Sequence, residues 1–220
     1  KYNRITRRCH EAGVFCAERE DMDCFVLEGG SIESDGEGTL LTTSACLLNP
    51  NRNPQMDKHQ IEEVLHRTLH AERVLWLDHG YLCGDDTDSH IDTLARLCPG
   101  HKVAYVQCTD QSDEHYHELR AMEEQLATFG LELVPLPMPR AIYDEDGERL
   151  PATYANFLCM DTAVLMPTYG QPDLDALAAR QLQMCFPGRE VVGIDCRVLI
   201  RQHGSLHCCT MQLPRGVLKT

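Results

Sequence analysis

The chain has 220 residues, 43% of them hydrophobic and 25% charged, which suffices for one ordinary domain with a sizeable core or two small ones. A net charge of −14, with no run of Lys or Arg, disfavours a nucleic-acid partner and mildly favours a small cationic ligand. Short apolar runs and a mean hydropathy of −0.33 leave no candidate membrane span.

Hydrophobic periodicity divides the chain into repeated units of strand, strand, helix, strand. In the first unit, strands are expected at 24–28 and 38–43, a turn cluster at 49–54, a helix over 58–71 and a strand at 74–77. The second unit repeats this with strands at 91–97 and 103–106, a helix over 113–129 and a strand at 131–136. The third has strands at 154–160 and 163–166, a helix over 173–185 and a strand at 190–194. Residues 206–213 read as the opening strand of a fourth unit, and 137–153 as the most loop-like stretch. One such unit cannot bury its own apolar face, so several must pack together. The expected fold is therefore α/β, with residues 1–220 as a single domain.

Residues able to do chemistry recur near the opening strand of each unit: Glu28, then His90 with Asp92, then Asn156, and finally Cys208. Pseudo-equivalent units would bring them to one axis. Cys beside His is a pairing for nucleophilic catalysis, and two carboxylates suit a planar guanidinium. Each residue also has a plainer reading. Glu28 precedes Gly29-Gly30 and could begin a turn. Asn156 could be a satisfied buried amide. Cys208, beside Cys209 in an expected strand, could be a core cysteine, and only one of the two would face a pocket. The acidic run from Gly84 to Asp92 could be a solvated loop; it is no EF-hand, since Ile91 stands where that loop needs Gly.

No metal site is expected. His66 and His70 lack the Glu of H-E-x-x-H, and His115 and His117 fall on different sides of a helix. The 12 cysteines include no C-x-x-C pair, and most are expected to be reduced and buried, in a cytoplasmic protein.

Four clusters then carry a resemblance. Leu27-Glu28-Gly29-Gly30-Ser31-Ile32, with Asp35 to Thr43 and Leu48 to Pro54, is similar to the agmatine deiminase family, which is grouped with the Porphyromonas-type peptidylarginine deiminases. Thr87-Asp88-Ser89-His90-Ile91-Asp92 resembles its T-D-G-H-x-D segment, with Ser89 in place of Gly. Pro151 to Phe157 resembles P-A-S-Y-x-N-F, and Gly204-Ser205-Leu206-His207-Cys208 resembles the G-N-I-H-C segment of the nucleophile.

The resemblance implies an α/β propeller of five modules around a central site. It implies Cys208 as nucleophile, His90 as general acid/base, and Glu28 and Asp92 as holders of the guanidinium. Asn156 would line the site, and Asp88 would meet the cationic tail of agmatine. The implied reaction converts agmatine to N-carbamoylputrescine and ammonia through a cysteine thiouronium adduct, with no cofactor. The family's earlier W-x-R-D-x-G-P motif is absent here. The expectation is thus an N-terminally incomplete propeller, lacking about two modules. Alone it would be poorly active, and its open strand edges would favour self-association. Peptidyl-arginine hydrolysis by the same chemistry, and an inactive remnant that binds guanidino compounds, are the alternatives.

Overall fold

Burial of successive residues along the central strands, on both faces in the first two sheets, organises the structure. The computed structural model describes residues 3–219. In chain order the elements are α1 (Asn3–Glu11), β1 (Ile32–Ser34), β2 (Thr39–Thr43), α2 (Ser44–Leu47), α3 (Lys58–Leu69) and β3 (Arg73–Leu77). Next come β4 (Ala95–Cys98), β5 (Lys102–Gln107), α4 (Tyr116–Ala127) and β6 (Glu132–Pro137). The last are β7 (Leu158–Cys159), β8 (Ala163–Thr168), α5 (Pro172–Cys185) and β9 (Glu190–Asp195).

They form three three-stranded sheets, β1-β2-β3, β4-β5-β6 and β7-β8-β9. In each, the first pair is an antiparallel hairpin, and a helix carries the chain over to a third, parallel strand. The registers are equivalent: Leu41 lies beside Leu75, Ala104 beside Val134 and Leu165 beside Val192. The hairpin turn of the first sheet is made by Asp35, whose carboxylate accepts from Glu37 N at 2.7 Å and Thr39 N at 2.9 Å.

The core explains why the units occur together. Leu40 packs with Ile61 and Leu65 of its own helix α3, whereas the adjacent Leu41 packs into the cluster of Leu119 and Met122 on α4. Val103 and Tyr105 likewise face α4, while Ala104 joins Ala178 and Leu182 of α5. Central strands β2 and β5 therefore each have one face on their own helix and the other on the next unit's helix. Helix α3 begins at a capping box, with the Asp57 carboxylate accepting from Gln60 N and the Gln60 side chain accepting from Asp57 N, both at 2.9 Å.

The helices and third strands match the sequence reading within a few residues, but the opening strands do not. Residues 24–28 are not a strand. Val26 is held instead by the Asn53 side chain, which accepts from Val26 N and donates to Val26 O, both at 2.9 Å. The hairpin strand begins later, after a single 3-10 turn at Gly29–Ser31. Ile91–Thr93 is a second such turn, with β4 only after it. Residues 206–213 hold a third, His207–Cys209, rather than a strand. Helix α1 had no counterpart in the sequence reading. The chain ends meet: Phe15 pairs antiparallel with Leu218, and Cys16 N donates to Val217 O at 2.9 Å.

The cysteines are free, but fewer are buried than expected. Cys46, Cys98, Cys108, Cys185 and Cys196 are buried, whereas Cys16, Cys24, Cys208 and Cys209 are exposed. Among the described residues, no helix is long and apolar enough to cross a membrane.

Leu41 is 0% exposed and joins the first unit to the second. Leu41→Ala is expected to lower stability by about 2–5 kcal/mol, read from the urea midpoint. A loss below about 0.5 kcal/mol, the usual range of a surface substitution, would show that the inter-unit core does not support the fold.

Candidate active site

Three of the four 3-10 turns among the described residues, Gly29–Ser31, Ile91–Thr93 and His207–Cys209, stand where three segments come together, each just ahead of or beyond a sheet. Glu28 precedes the first, His90 and Asp92 start the second, and Cys208 lies in the third. Asn156 reaches in from the segment before β7. All these residues except Asn156 line one open cleft of about 1040 Å³.

Asn156 and Asp92 are 0% and 1% exposed. The Asn156 amide donates to Asp92 O at 3.1 Å and to Cys208 Sγ at 3.3 Å. Its oxygen accepts from His207 N at 2.8 Å and Cys208 N at 3.3 Å. These bonds to the backbone are why residues 207–209 turn rather than extend, since the amide takes N–H groups that a ladder would use. Cys208 Sγ lies 3.8 Å from Asp92 Oδ2, and the same oxygen is 2.7 Å from His207 Nδ1. Although residue 208 as a whole is exposed, its Sγ is turned into the cleft wall against Asn156 and Asp92, and desolvation there, then the Asp92 charge, push the Cys208 thiol up to about 11.

On the other side, His90 Nε2 is 3.8 Å from Glu28 Oε1. Gly30 makes the approach possible: a Cβ there would lie 2.6 Å from His90 Nδ1 and 3.1 Å from both Asp92 oxygens. Among the described residues, His90 Nε2 and Asp92 Oδ1 are the buried side-chain polar atoms without a hydrogen-bond partner. Unpaired buried polar groups are costly, and such atoms are what a polar ligand would satisfy.

Glu28 and Asp88 share a partner that the sequence reading missed. Arg52, from the turn cluster at 49–54, donates from Nε and Nη2 to the two Glu28 oxygens at 2.7 and 2.9 Å. Its Nη1 donates to Asp88 Oδ2 at 2.8 Å, and Asn51 donates to the same oxygen at 3.1 Å. The Glu28 bond raises the Arg52 guanidinium further above its ordinary value. Bonds from Arg52 and Asn51 hold the Asp88 carboxyl below the usual range. Glu28 thus keeps one edge toward His90 while Arg52 fixes its position. Asp88, expected to meet a substrate's cationic tail, is instead engaged by Arg52 and Asn51 and is not among the residues that line the cleft.

The loop carrying His90 is tied down locally. Asp85 accepts from Thr87 Oγ1 at 2.6 Å and Ser89 N at 2.9 Å. Ser89 has φ +64°, a conformation at ease only for Gly. Farther along, Cys83, His115 and Asp113 have a nucleophilic triad's composition but another use. Cys83 N donates to His115 Nε2 at 2.8 Å, and His115 Nδ1 is 2.7 Å from Asp113, which Arg149 also holds. The imidazole is committed to a backbone N–H and has no lone pair left for the thiol.

Glu28, Cys46 and His90 have ligand atoms within 4.8 Å of one another. The Arg52 cation beside them, and a Cys46 thiol pushed up to about 12 by burial, oppose a metal there. His66 is turned to the Ala71 carbonyl at the end of α3.

Residues 1–214 match the family model described as Porphyromonas-type peptidyl-arginine deiminase. The chain belongs to that family. A Legionella pneumophila (strain Paris) protein, provisionally named agmatine deiminase, is 38% identical over 95% of this chain and 60% of its own length. A solved Porphyromonas gingivalis structure, provisionally titled arginine deiminase, is 53% identical with a TM-score of 0.94, over 99% of this chain and 66% of that one. An agmatine deiminase variant of C. jejuni with substrate bound is 41% identical with a TM-score of 0.89, over 94% and 61%. The chain thus spans about 60% of the length of the curated relatives it matches.

Two outcomes test this geometry. Asp92→Asn removes the charge that raises the thiol, so the pH midpoint of Cys208 alkylation by iodoacetamide should fall by about one pH unit. The measurement is made in a Cys209→Ser background; an unmoved midpoint would exclude electrostatic contact between the two. Ser89→Gly relieves about 1–2 kcal/mol of left-handed strain against about 0.4–1 kcal/mol of added chain entropy. Thermal melting should therefore show a small gain, and a clear loss would contradict the strain argument.

Proposed function

We propose that this site hydrolyses a guanidino group, with agmatine as substrate and N-carbamoylputrescine as product. The observation that carries the reading is the Cys208–Asp92–Asn156 contact set facing His90 and Glu28 across one cleft, with His90 Nε2 and Asp92 Oδ1 unpartnered. A guanidinium is planar, cationic and rich in N–H donors, so two carboxylates suit it.

In this reading Glu28 and Asp92 grip the guanidinium nitrogens, beside the Cys208 thiol. At pH 7 the free thiol, pushed up to about 11, is neutral. The arriving cation offsets the Asp92 charge and favours the thiolate at the moment it is needed. The thiol proton moves to His90, and Sγ bonds the guanidinium carbon. A C–N bond then breaks, and its nitrogen takes a proton from His90 and leaves as ammonia. The remaining adduct is a thiouronium cation on Cys208. Water gives a proton to His90 and its oxygen bonds the carbon; the C–S bond then breaks, the remaining hydroxyl proton passes to the Cys208 sulfur, the ureido product departs, and His90 releases its proton to solvent, where ammonia takes one up. In sum, guanidinium and water give a ureido compound and ammonium. Asn156 holds the Cys208 turn, and Asp92 stabilises the cationic tetrahedral species electrostatically.

The three equivalent sheets support a further part of the reading, in which 1–220 form one domain belonging to a five-bladed α/β propeller. Peptidyl-arginine is the second substrate to consider, because the cleft is open and the family takes its description from that activity.

The test is ureido-product formation from agmatine, free arginine and peptidyl-arginine. Cys208→Ser should abolish it, Cys209→Ser should leave it largely intact, and His90→Ala should stop turnover in a folded chain. Equal activity in the two Cys variants would sink the nucleophile assignment. Preference for peptidyl-arginine would replace agmatine as substrate.

A further inference from the structure

Beside Asp92, in the wall of the same cleft, lies a chain of polar groups that the proposed reaction does not use. Arg96 on β4 and Glu33 on β1 are 3% and 8% exposed. Arg96 Nε donates to Glu33 Oε2 at 2.7 Å, Nη1 donates to Phe157 O at 2.5 Å, and the guanidinium lies 4.9 Å from the Phe157 ring centre. The remaining nitrogen, Nη2, is 3.4 Å from His207 Nε2. The other ring nitrogen of His207 faces Asp92 Oδ2 at 2.7 Å.

The direction of these bonds follows from chemistry. A guanidinium has only donors. With Arg96 Nη2 as the donor, His207 Nε2 accepts, which places the ring proton on Nδ1, from which it donates to Asp92. In free histidine the Nε2–H form is the commoner tautomer. Arg96 imposes the rarer one, and Glu33 supplies the countercharge that lets Arg96 be buried.

A buried ion pair of this kind is weak evidence for stability, since apolar residues of similar volume often serve the fold as well or better. Its position calls for another account. We infer that Arg96, backed by Glu33, is a positioning residue that fixes the tautomer of His207, and that His207 in turn orients Asp92 toward the guanidinium and shares its charge. The order is Glu33, Arg96, His207, Asp92, and it ends 3.8 Å from Cys208 Sγ. This rests on the reading of Asp92 as a guanidinium holder, but its readouts do not depend on turnover.

The experiment is nitrogen-15 NMR of the His207 ring in the Cys209→Ser chain, together with the iodoacetamide alkylation rate of Cys208. The ring should carry its proton on Nδ1 alone. Arg96→Met should yield a mixture containing the Nε2–H form, while Glu33→Gln, which keeps the cation, should retain the Nδ1–H form. Should Arg96→Met fail to fold, Glu33→Leu with Arg96→Met removes both charges and keeps the volume. Once His207 ceases to donate, the Asp92 charge bears more fully on the thiol. Cys208 alkylation at fixed pH should then slow by about three- to tenfold, corresponding to a rise in thiol pKa of roughly half to one. An Nε2–H ring in the parent chain, or an unchanged tautomer and alkylation rate without Arg96, would overturn the inference. Absence of ureido product with these signatures intact would count against the proposed function alone.

Discussion

The Asn156 side chain joins three separate segments with one amide. Its nitrogen donates to the Asp92 carbonyl and the Cys208 sulfur, and its oxygen accepts from the backbone of His207 and Cys208. Those four contacts fill both its donors and the lone pairs of its oxygen. An amide so engaged, 0% exposed, fixes the thiol relative to the carboxylate far more tightly than a surface loop could. The thiol's elevated pKa follows from that placement, because burial and the Asp92 charge act on it together.

The scaffold makes such convergence cheap. Each sheet begins with a hairpin and ends with a parallel strand, and central strands β2 and β5 are each shared between their own helix and the next. Adjacent units are locked in a fixed relation by side chains such as Leu41 and Ala104. The segments leading into successive sheets therefore return to the same side of the structure. The turn cluster at 49–54 adds a second layer. Arg52 holds Glu28 and Asp88, Asn51 holds Asp88, and Asn53 holds Val26, so one short loop sets the whole wall that carries Glu28.

Much of this was legible in the sequence, for physical reasons. Helices α3 to α5 and the third strands have long, regular apolar periods, and those survive tertiary context. Glu28, His90, Asp92, Asn156 and Cys208 were singled out by their shared position in the repeat, and four of them line the cleft, with Asn156 bonded to Asp92 and Cys208. The opening strands were misplaced because the expected strands at 24–28 and 206–213 are apolar enough to extend, yet their backbone groups are satisfied by the side chains of Asn53 and Asn156. No local pattern reveals a partner that lies 27 or 51 residues away. Arg52 and His207 were read only as members of quoted segments, with no role given to either, and Arg96 and Glu33 were not singled out at all. A charged residue inside an apolar strand, as Arg96 is in β4, was the signal available for them. Ser89 shows the converse: its departure from the family's Gly was visible, and its φ of +64° explains why Gly is usual there.

The central claim is that Cys208 sits where a guanidinium is held by carboxylates. The most direct measurement compares alkylation of Cys208 by chloroacetamidine, which is cationic, and by chloroacetamide, which is neutral and nearly the same shape. The account predicts that the cationic reagent labels Cys208 faster than its intrinsic reactivity with a free thiol would give. It also predicts that agmatine or another guanidino compound suppresses this advantage, and that Glu28→Gln reduces it. Equal selectivity for the two reagents at Cys208 and at exposed Cys209, unaffected by guanidino competitors, would contradict it.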